Sequence, residues 1–370
     1  MIAQEVNRLG FLVDGAARQS ASGKYFDIYN PSTGEVIAQA PDCLPEEVDL
    51  AVASAHRAFA GWADTPALKR VQVLYKFRQL IERDFDDLVR MVATEHGKVW
   101  DEAAGDVLKA KEVVEVACGI PSMLTGESMM NASTGYDTVL YREPLGVFAG
   151  IAPFNFPAMI PMGWMMPLCI ATGNTLVLRP SPVTPMTSIR MTELLYEAGL
   201  PEGVVNLVTC GPAGAESLVA HPDVRGIMFV GSTRVGQSVY ANAARHGKRV
   251  QALCQAKNHA LVMEDAPIER TARGIINGAF GCAGERCMAL PVVAAHESIA
   301  DELVACLVRL ARERKLGPGY AKTSELGPLV TAQHRKSVSD WVQRGIDEGA
   351  VLALDGRAAV VEGYENGFFL

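Results

Sequence analysis

The chain has 370 residues, with 42 acidic side chains against 34 basic ones and a formal net charge of −8. At roughly 150 residues per domain this predicts two or three domains, and a hydrophobic content of 49% excludes a disordered or fibrous chain. The acidic balance argues against nucleic acid as the main partner, because neutralising phosphates requires a basic surface.

Eight cysteines are scattered along the sequence, at 43, 118, 169, 210, 254, 282, 287 and 306, without a Cys-x-x-Cys pair or a histidine cluster. No metal site is expected, and the thiols read as reduced, as in a cytoplasmic protein. Met1-Ile2-Ala3-Gln4-Glu5 lacks the basic and apolar regions of a secretory signal.

In chain order, Asp14-Gly15 and Asn30-Pro31-Ser32-Thr33-Gly34-Glu35 are turn signals between short apolar runs and predict hairpins. Val71, Leu74, Phe77, Ile81, Phe85, Leu88 and Val92 recur at three- and four-residue steps and predict one helix. A second helix is expected from Asp101 to Ala117. From Leu145 to Leu178 there is no charge, long enough for a membrane span. Pro153, Pro157, Pro161 and Pro167 interrupt it, so a buried strand, a loop and a buried helix are expected, and no membrane.

Beyond Leu145, strands are expected at Val147–Ile151, Thr175–Leu178, Val204–Val208, Gly226–Val230 and Ala260–Met263, with helices at Met186–Ala198 and Val235–Arg245. Apolar strands alternating with helices predict an α/β fold with a doubly wound parallel sheet, which binds dinucleotides at the carboxyl ends of its strands. Residues 1–259 are assigned to N-terminal strands and helices plus this dinucleotide-binding domain. Residues 260–370 are assigned to a second α/β, catalytic domain, with an apolar run Leu290–Ala294 and helices Ala300–Arg314 and Ala332–Glu348.

Three segments carry chemistry. Gly231-Ser232-Thr233-Arg234-Val235-Gly236 follows a strand and opens a helix, which suits either a pyrophosphate or a plain tight turn. Gly281-Cys282-Ala283-Gly284-Glu285-Arg286-Cys287-Met288 sets Cys287 beside a cation, which lowers a thiol's pKa and activates it. Burial as an inert thiol explains Cys43, Cys118, Cys169, Cys210 and Cys306 but explains this setting poorly. Pro153-Phe154-Asn155-Phe156-Pro157 holds one amide in an apolar run, either an oxyanion donor or a backbone cap.

Together with Tyr29-Asn30-Pro31, Phe229-Val230-Gly231-Ser232 and Leu326-Gly327-Pro328-Leu329, these segments resemble the aldehyde dehydrogenase superfamily over most of the chain. Ala256-Lys257-Asn258-His259 and Gly284-Glu285-Arg286-Cys287-Met288-Ala289 are most similar to its CoA-acylating methylmalonate-semialdehyde dehydrogenase branch. The resemblance implies Cys287 as nucleophile, with Asn155 and the Cys287 backbone N–H holding the oxyanion. It implies NAD bound by Ala152, Pro153, Phe154, Arg179, Ser181, Phe229, Gly231, Ser232, Val235 and Leu253. It also implies a semialdehyde whose carboxylate meets Arg286 and Lys109, and coenzyme A as acyl acceptor with loss of carbon dioxide. A homodimer or homotetramer is expected for the full-length family.

Departures from the family pattern leave alternatives open. Most members carry a glutamate general base where this chain has Leu253, and the acylating branch lacks it too, which counts against a hydrolysing enzyme. The family's ribose-binding Lys-Pro-Ser-Glu reads Arg179-Pro180-Ser181-Pro182 here, and Cys254-Gln255 replaces a small pair next to the active site. The family extends beyond the segment matching Gly363–Leu370, so an incomplete catalytic domain is expected. A catalytically impaired relative, or a preference for NADP through Arg179, would also fit these changes.

Overall fold

The computed structural model describes residues 6–370; the N-terminal segment read for a signal peptide, Met1–Glu5, lies outside them. The chain opens with two hairpins, β1 (Phe11–Val13) with β2 (Ala16–Arg18), and β3 (Tyr25–Asn30) with β4 (Glu35–Pro41). Asp14 and Gly15 both take positive φ, +56° and +76°, the conformation a two-residue hairpin turn requires.

Four long helices follow: α1 (Pro45–Asp64), α2 (Ala67–Arg83), α3 (Phe85–His96) and α4 (Trp100–Cys118). The single helix expected over 71–92 is two, because Asp84 leaves the helical region at φ −98°, ψ 18° and serves as the end of α2 and the start of α3. Its carboxylate is held by Arg83 and Arg190. The apolar stripe survives the break: Leu74, Phe77, Ile81, Leu88 and Val92 share one core. Each fully buried side chain of this kind contributes about 1.5–3 kcal/mol. A short helix α5 (Ile120–Met123) leads to an exposed hairpin, β5 (Ser128–Ser133) and β6 (Tyr136–Val139).

The central sheet is then built from β7 (Val147–Ile151), α6 (Met166–Ala171), β8 (Thr175–Arg179), α7 (Met186–Glu197), β9 (Val205–Leu207), α8 (Pro212–Ala220), β10 (Val224–Gly231), α9 (Thr233–Arg245) and β11 (Arg249–Cys254). Its strand order is β11-β10-β7-β8-β9-β1-β2. The first five strands are parallel, and β1 and β2 complete the sheet antiparallel. From β7 the chain winds outward through β8 and β9, then returns to the other side of β7 to lay down β10 and β11. The reversal between β7 and β10 is the position at which such sheets open a ligand crevice.

The uncharged run 145–178 is β7, a proline-bounded loop, a π-helical turn over Met159–Met165, buried α6 and β8. No helix among the described residues is long and apolar enough to cross a membrane.

The strand expected at Ala260–Met263 is not part of this sheet. It forms as β12 (His259–Val262) and pairs parallel with β13 (Val292–Ala295) in a separate two-stranded sheet. The fifth parallel strand is β11, which has a largely exposed side and therefore no continuous apolar run to betray it. Helices α10 (Ile268–Phe280) and α11 (Glu297–Glu313) pack on the small sheet through Val262, Ile275, Ile276, Leu303 and Leu310, and α12 (Ala332–Asp347) follows.

Candidate active site

A crevice of about 560 Å³ opens at the carboxyl ends of the paired strands β7 and β10. One wall comes from the end of β7 and the turn after it: Ala152, Pro153 and Phe154. Arg179 and Ser181 line it from the end of β8. Phe229, Gly231, Ser232 and Val235 close it from β10 and the first turn of α9. Nine of the ten expected cofactor residues therefore share one cavity; the tenth, Leu253, stands one strand out on β11, opposite Val230 in register and 45% exposed.

Two details of the crevice differ from a plain dinucleotide cradle. Arg179 donates from Nε (3.1 Å) and Nη2 (2.8 Å) to the Cys210 carbonyl, which ties its guanidinium to the protein's own backbone. The first turn of α9 offers the free N–H groups and positive dipole end that attract phosphates. There the Thr233 N–H donates to the side-chain oxygen of Gln255 over 3.3 Å. Gln255, expected to add bulk next to the substrate, directs its amide at the helix end.

The loop expected to carry the nucleophile leaves α10 at Gly281. Cys282 and Ala283 both take φ +51° and Gly284 takes +78°, three left-handed residues in succession. For the two residues that carry a Cβ this costs roughly 1–2 kcal/mol each. The strain is held by Glu102 of α4: its Oε1 accepts the Cys282 N–H (2.9 Å) and Nη2 of Arg286 (2.9 Å). Arg286 Nε also donates to Cys282 Sγ at 3.1 Å. A Cβ on Gly281 would sit 2.6 Å from Arg286 Cζ, so glycine is what lets the guanidinium lie across the loop.

These contacts change the reading of Arg286. Adjacency in sequence predicts that it activates Cys287; in the fold its guanidinium engages Cys282 and Glu102, because a carboxylate from a distant helix is the stronger partner. Cys282 is buried, which pushes its thiol up to about 11 and keeps it protonated at neutral pH. Burial likewise raises Cys43, Cys118, Cys169 and Cys210, four of the five thiols read as inert; the fifth, Cys306, is only partly buried on α11 and contacts Glu269 and Arg309.

Cys287 is half-buried, and its segment is pinned at two carbonyls. Asn258 Nδ2 donates to the carbonyls of Cys287 (3.0 Å) and Ala289 (2.7 Å). Asn155 Nδ2 donates to the carbonyl of Glu285 (2.7 Å), while Asn155 Oδ1 is buried without a hydrogen-bond partner among the described residues. The fold thus brings Asn155 to the nucleophile loop, with one amide hydrogen used and a second remaining. Lys109 lies on α4 seven residues after Glu102, hence on the same face two turns on. It is exposed there and paired with Glu112 at 2.6 Å.

Behind the loop lies a buried polar array. Glu285 Oε1 accepts the Val330 N–H at 3.2 Å and faces His334 Nε2 at 3.4 Å; Oε2 faces His96 Nε2 at 3.7 Å. Phe154 sits between the two imidazoles, 6.0 Å from His96 and 5.8 Å from His334, centroid to centroid. Burial pushes the Glu285 carboxyl up to about 8 and holds both histidines below their ordinary range. Lys98, fully buried, gives its charge to Asp106 over 2.8 Å and lies 3.7 Å above the Phe156 ring.

Comparison with known proteins decides the family. The pattern of the Aldehyde dehydrogenase family matches residues 17–370. The chain belongs to the aldehyde dehydrogenase family. Malonate-semialdehyde dehydrogenase 2 of Geobacillus kaustophilus is 47% identical over 366 residues, 99% of this chain and 75% of that protein. The malonate-semialdehyde dehydrogenase of Bacillus cytotoxicus is 41% identical over 370 residues, 100% of this chain and 76% of its own length. Methylmalonate-semialdehyde dehydrogenase of Oceanimonas doudoroffii superposes with a TM-score of 0.96 at 38% identity, over 98% of this chain and 74% of that one. A Sinorhizobium meliloti structure solved with NAD has the same TM-score at 39% identity, covering 99% of this chain and 75% of its own.

Within this aldehyde dehydrogenase chain, Glu102, Asn258, Glu285 and His96 hold the site without having been assigned a role from sequence. Asn258 carried a signal: it is a lone amide at the start of a strand. Glu102 and His96 carried none, since each looks like an ordinary polar residue at the end of a helix.

Proposed function

We propose that the chain oxidises a small carboxylated semialdehyde, malonate or methylmalonate semialdehyde, with NAD, and passes the acyl group from Cys287 to coenzyme A. The observation that carries this reading is the Asn155–Glu285 bond, which holds a carboxamide, next in sequence to the crevice residue Phe154, against the loop of a half-buried cysteine. The substrate class follows the malonate-semialdehyde dehydrogenases that the chain matches.

The crevice residues fit a dinucleotide: a cavity of about 560 Å³ at the switch point, with the first turn of α9 on one side. NAD, when bound there, supplies the hydride acceptor. Cys287, as thiolate, attacks the aldehyde carbon. The remaining N–H of Asn155 and the Cys287 backbone N–H stabilise the oxyanion. Collapse of that oxyanion with loss of hydride leaves a thioester on Cys287. Leu253 brings no carboxylate that could activate water, so the thioester waits for the thiolate of coenzyme A, which takes the acyl group and frees Cys287. Before that transfer the substrate carboxylate, held by donors of Arg286 not engaged with Cys282 and Glu102 and by Lys109, leaves the thioester as carbon dioxide; the C–C electron pair passes into the thioester enolate, which takes a proton from solvent.

The purified chain with NAD, coenzyme A and malonate semialdehyde should form NADH and acetyl-CoA, and Cys287→Ser should form neither. Absence of NADH while iodoacetamide still titrates Cys287 would overturn the reading. The Arg179–Cys210 contact and Pro182 favour a second reading, a relative that binds nucleotide weakly and does not turn over. Calorimetric titration showing no NAD binding at millimolar concentration would select it.

A further inference from the structure

Glu285, two residues before the nucleophile, is used by none of these steps, although its carboxyl is buried in the array behind the loop. We propose that Glu285 is a positioning residue that sets the nucleophile loop against Asn155, and that it does so as a neutral acid sharing one proton with His96. The inference rests on the assignment of Cys287 and Asn155 as catalytic groups.

Two geometric facts support it. The backbone carbonyl of Glu285 is the acceptor that holds the Asn155 amide, so any shift of this residue moves the oxyanion donor. Its side chain is anchored on one oxygen only, by the Val330 N–H. The other oxygen, Oε2, and His96 Nε2 are both buried, face each other at 3.7 Å, and have no hydrogen-bond partner among the described residues. The pair can be joined in two ways: an ionised carboxylate accepts from a protonated Nε2, and a neutral acid donates to a bare Nε2. In either, one proton between them satisfies both groups, at a small closing of the gap.

The charged surroundings favour the neutral form. His334 faces Oε1 from α12 at 3.4 Å, and its partial burial lowers its pKa and so disfavours the imidazolium. Lys98 is the only cation that acts on Glu285 from the segment between α3 and α4, and its charge is paired with Asp106 of α4. Glu102 of α4 is engaged with Arg286 and the Cys282 N–H. The Phe154 ring packs beside both imidazoles, tilted 30° to His96 and edge-on at 66° to His334. No neighbour therefore offers a full positive charge to an ionised Glu285.

The test compares wild type, Glu285→Gln and Glu285→Ala. Infrared difference spectra of wild type minus Glu285→Gln, which cancel every other buried carboxyl, should show a protonated-carboxyl band that disappears as pH rises through about 8. Glu285→Gln, which can still donate to His96, should keep kcat within about threefold of wild type. Glu285→Ala should lose about 10–100-fold in kcat with KM little changed, the effect of a small misplacement of the catalytic groups. Absence of the band, or a Glu285→Gln enzyme as slow as Glu285→Ala, would overturn the proposal. If the wild type forms no NADH, the proposed function fails separately. The infrared band and the rates of Cys287 alkylation in the three proteins then decide the inference: Glu285→Gln matching wild type and Glu285→Ala differing would support it, and all three alike would overturn it.

Discussion

The side-chain amide of Asn155 donates to the backbone carbonyl of Glu285 over 2.7 Å, joining the turn after β7 to the loop before Cys287. Both halves of the proposed catalytic constellation are therefore mechanically linked. Replacing Asn155 with Ala removes the proposed oxyanion donor and this link together. We expect kcat to fall by about 10²–10³. Single-turnover NADH formation would check it, and a loss below about fivefold would remove Asn155 from the catalytic role.

The left-handed turn at Cys282-Ala283-Gly284 predicts an unusual gain from glycine. Ala283→Gly relieves roughly 1–2 kcal/mol of backbone strain and adds unfolded-chain entropy worth about 0.4–1 kcal/mol. Net stabilisation of about 0.5–1 kcal/mol is expected, read as a higher urea midpoint at unchanged slope. A lower midpoint would show that the turn is not strained.

Lys98 and Asp106 form a fully buried pair, and Asp106 Oδ1 also accepts the Met159 N–H. Lys98→Met leaves a buried carboxylate uncompensated, at a cost of about 3–5 kcal/mol. Adding Asp106→Asn keeps the acceptor for Met159 and removes the charge. The double variant should recover most of the loss in urea unfolding; if it stays as unstable as Lys98→Met, lost packing rather than charge is responsible.

Stability should depend on Glu285 between pH 5 and 8. In the folded chain this carboxyl keeps its proton to about pH 8, well above its ordinary value of 4.5. The folded state therefore binds the extra proton in this window. The contribution is complete below the ordinary carboxyl range and declines as pH rises to about 8, by at most about 1.4 kcal/mol per pH unit. His96 acts oppositely, losing stability as pH falls through the ordinary histidine range, because its burial disfavours the imidazolium; half-exposed His334 follows the same direction more weakly. Subtracting the urea-midpoint profile of Glu285→Gln from that of wild type isolates the carboxyl; a flat difference would mean that Glu285 ionises normally.

The parts of the molecule legible in sequence are those whose signal is local. Val147–Ile151 reads as a strand because it is buried on both faces, and β7 has those bounds. Arg249–Cys254 does not read as one, because its exposed side chains interrupt the apolar run. The break at Asp84 is invisible because the helical spacing of apolar residues continues through it. Cys287 and the crevice residues stood out by their neighbours in the chain. The partner of Arg286 did not, because Glu102 lies 184 residues away and only tertiary packing brings it there.

That separation has a consequence for how the chain acquires its site. The Asn155–Glu285 contact closes a span of 130 residues and the Glu102–Arg286 contact one of 184. Loop closure over such lengths adds little to the equilibrium cost, about 0.6 kcal/mol per doubling. Non-local contacts form late, after the local helices and hairpins that precede them. The nucleophile loop therefore has no conformation of its own to fall into. Its geometry is imposed when α4 and the β7 turn are already in place, so the reactive centre is among the last features of the fold to exist.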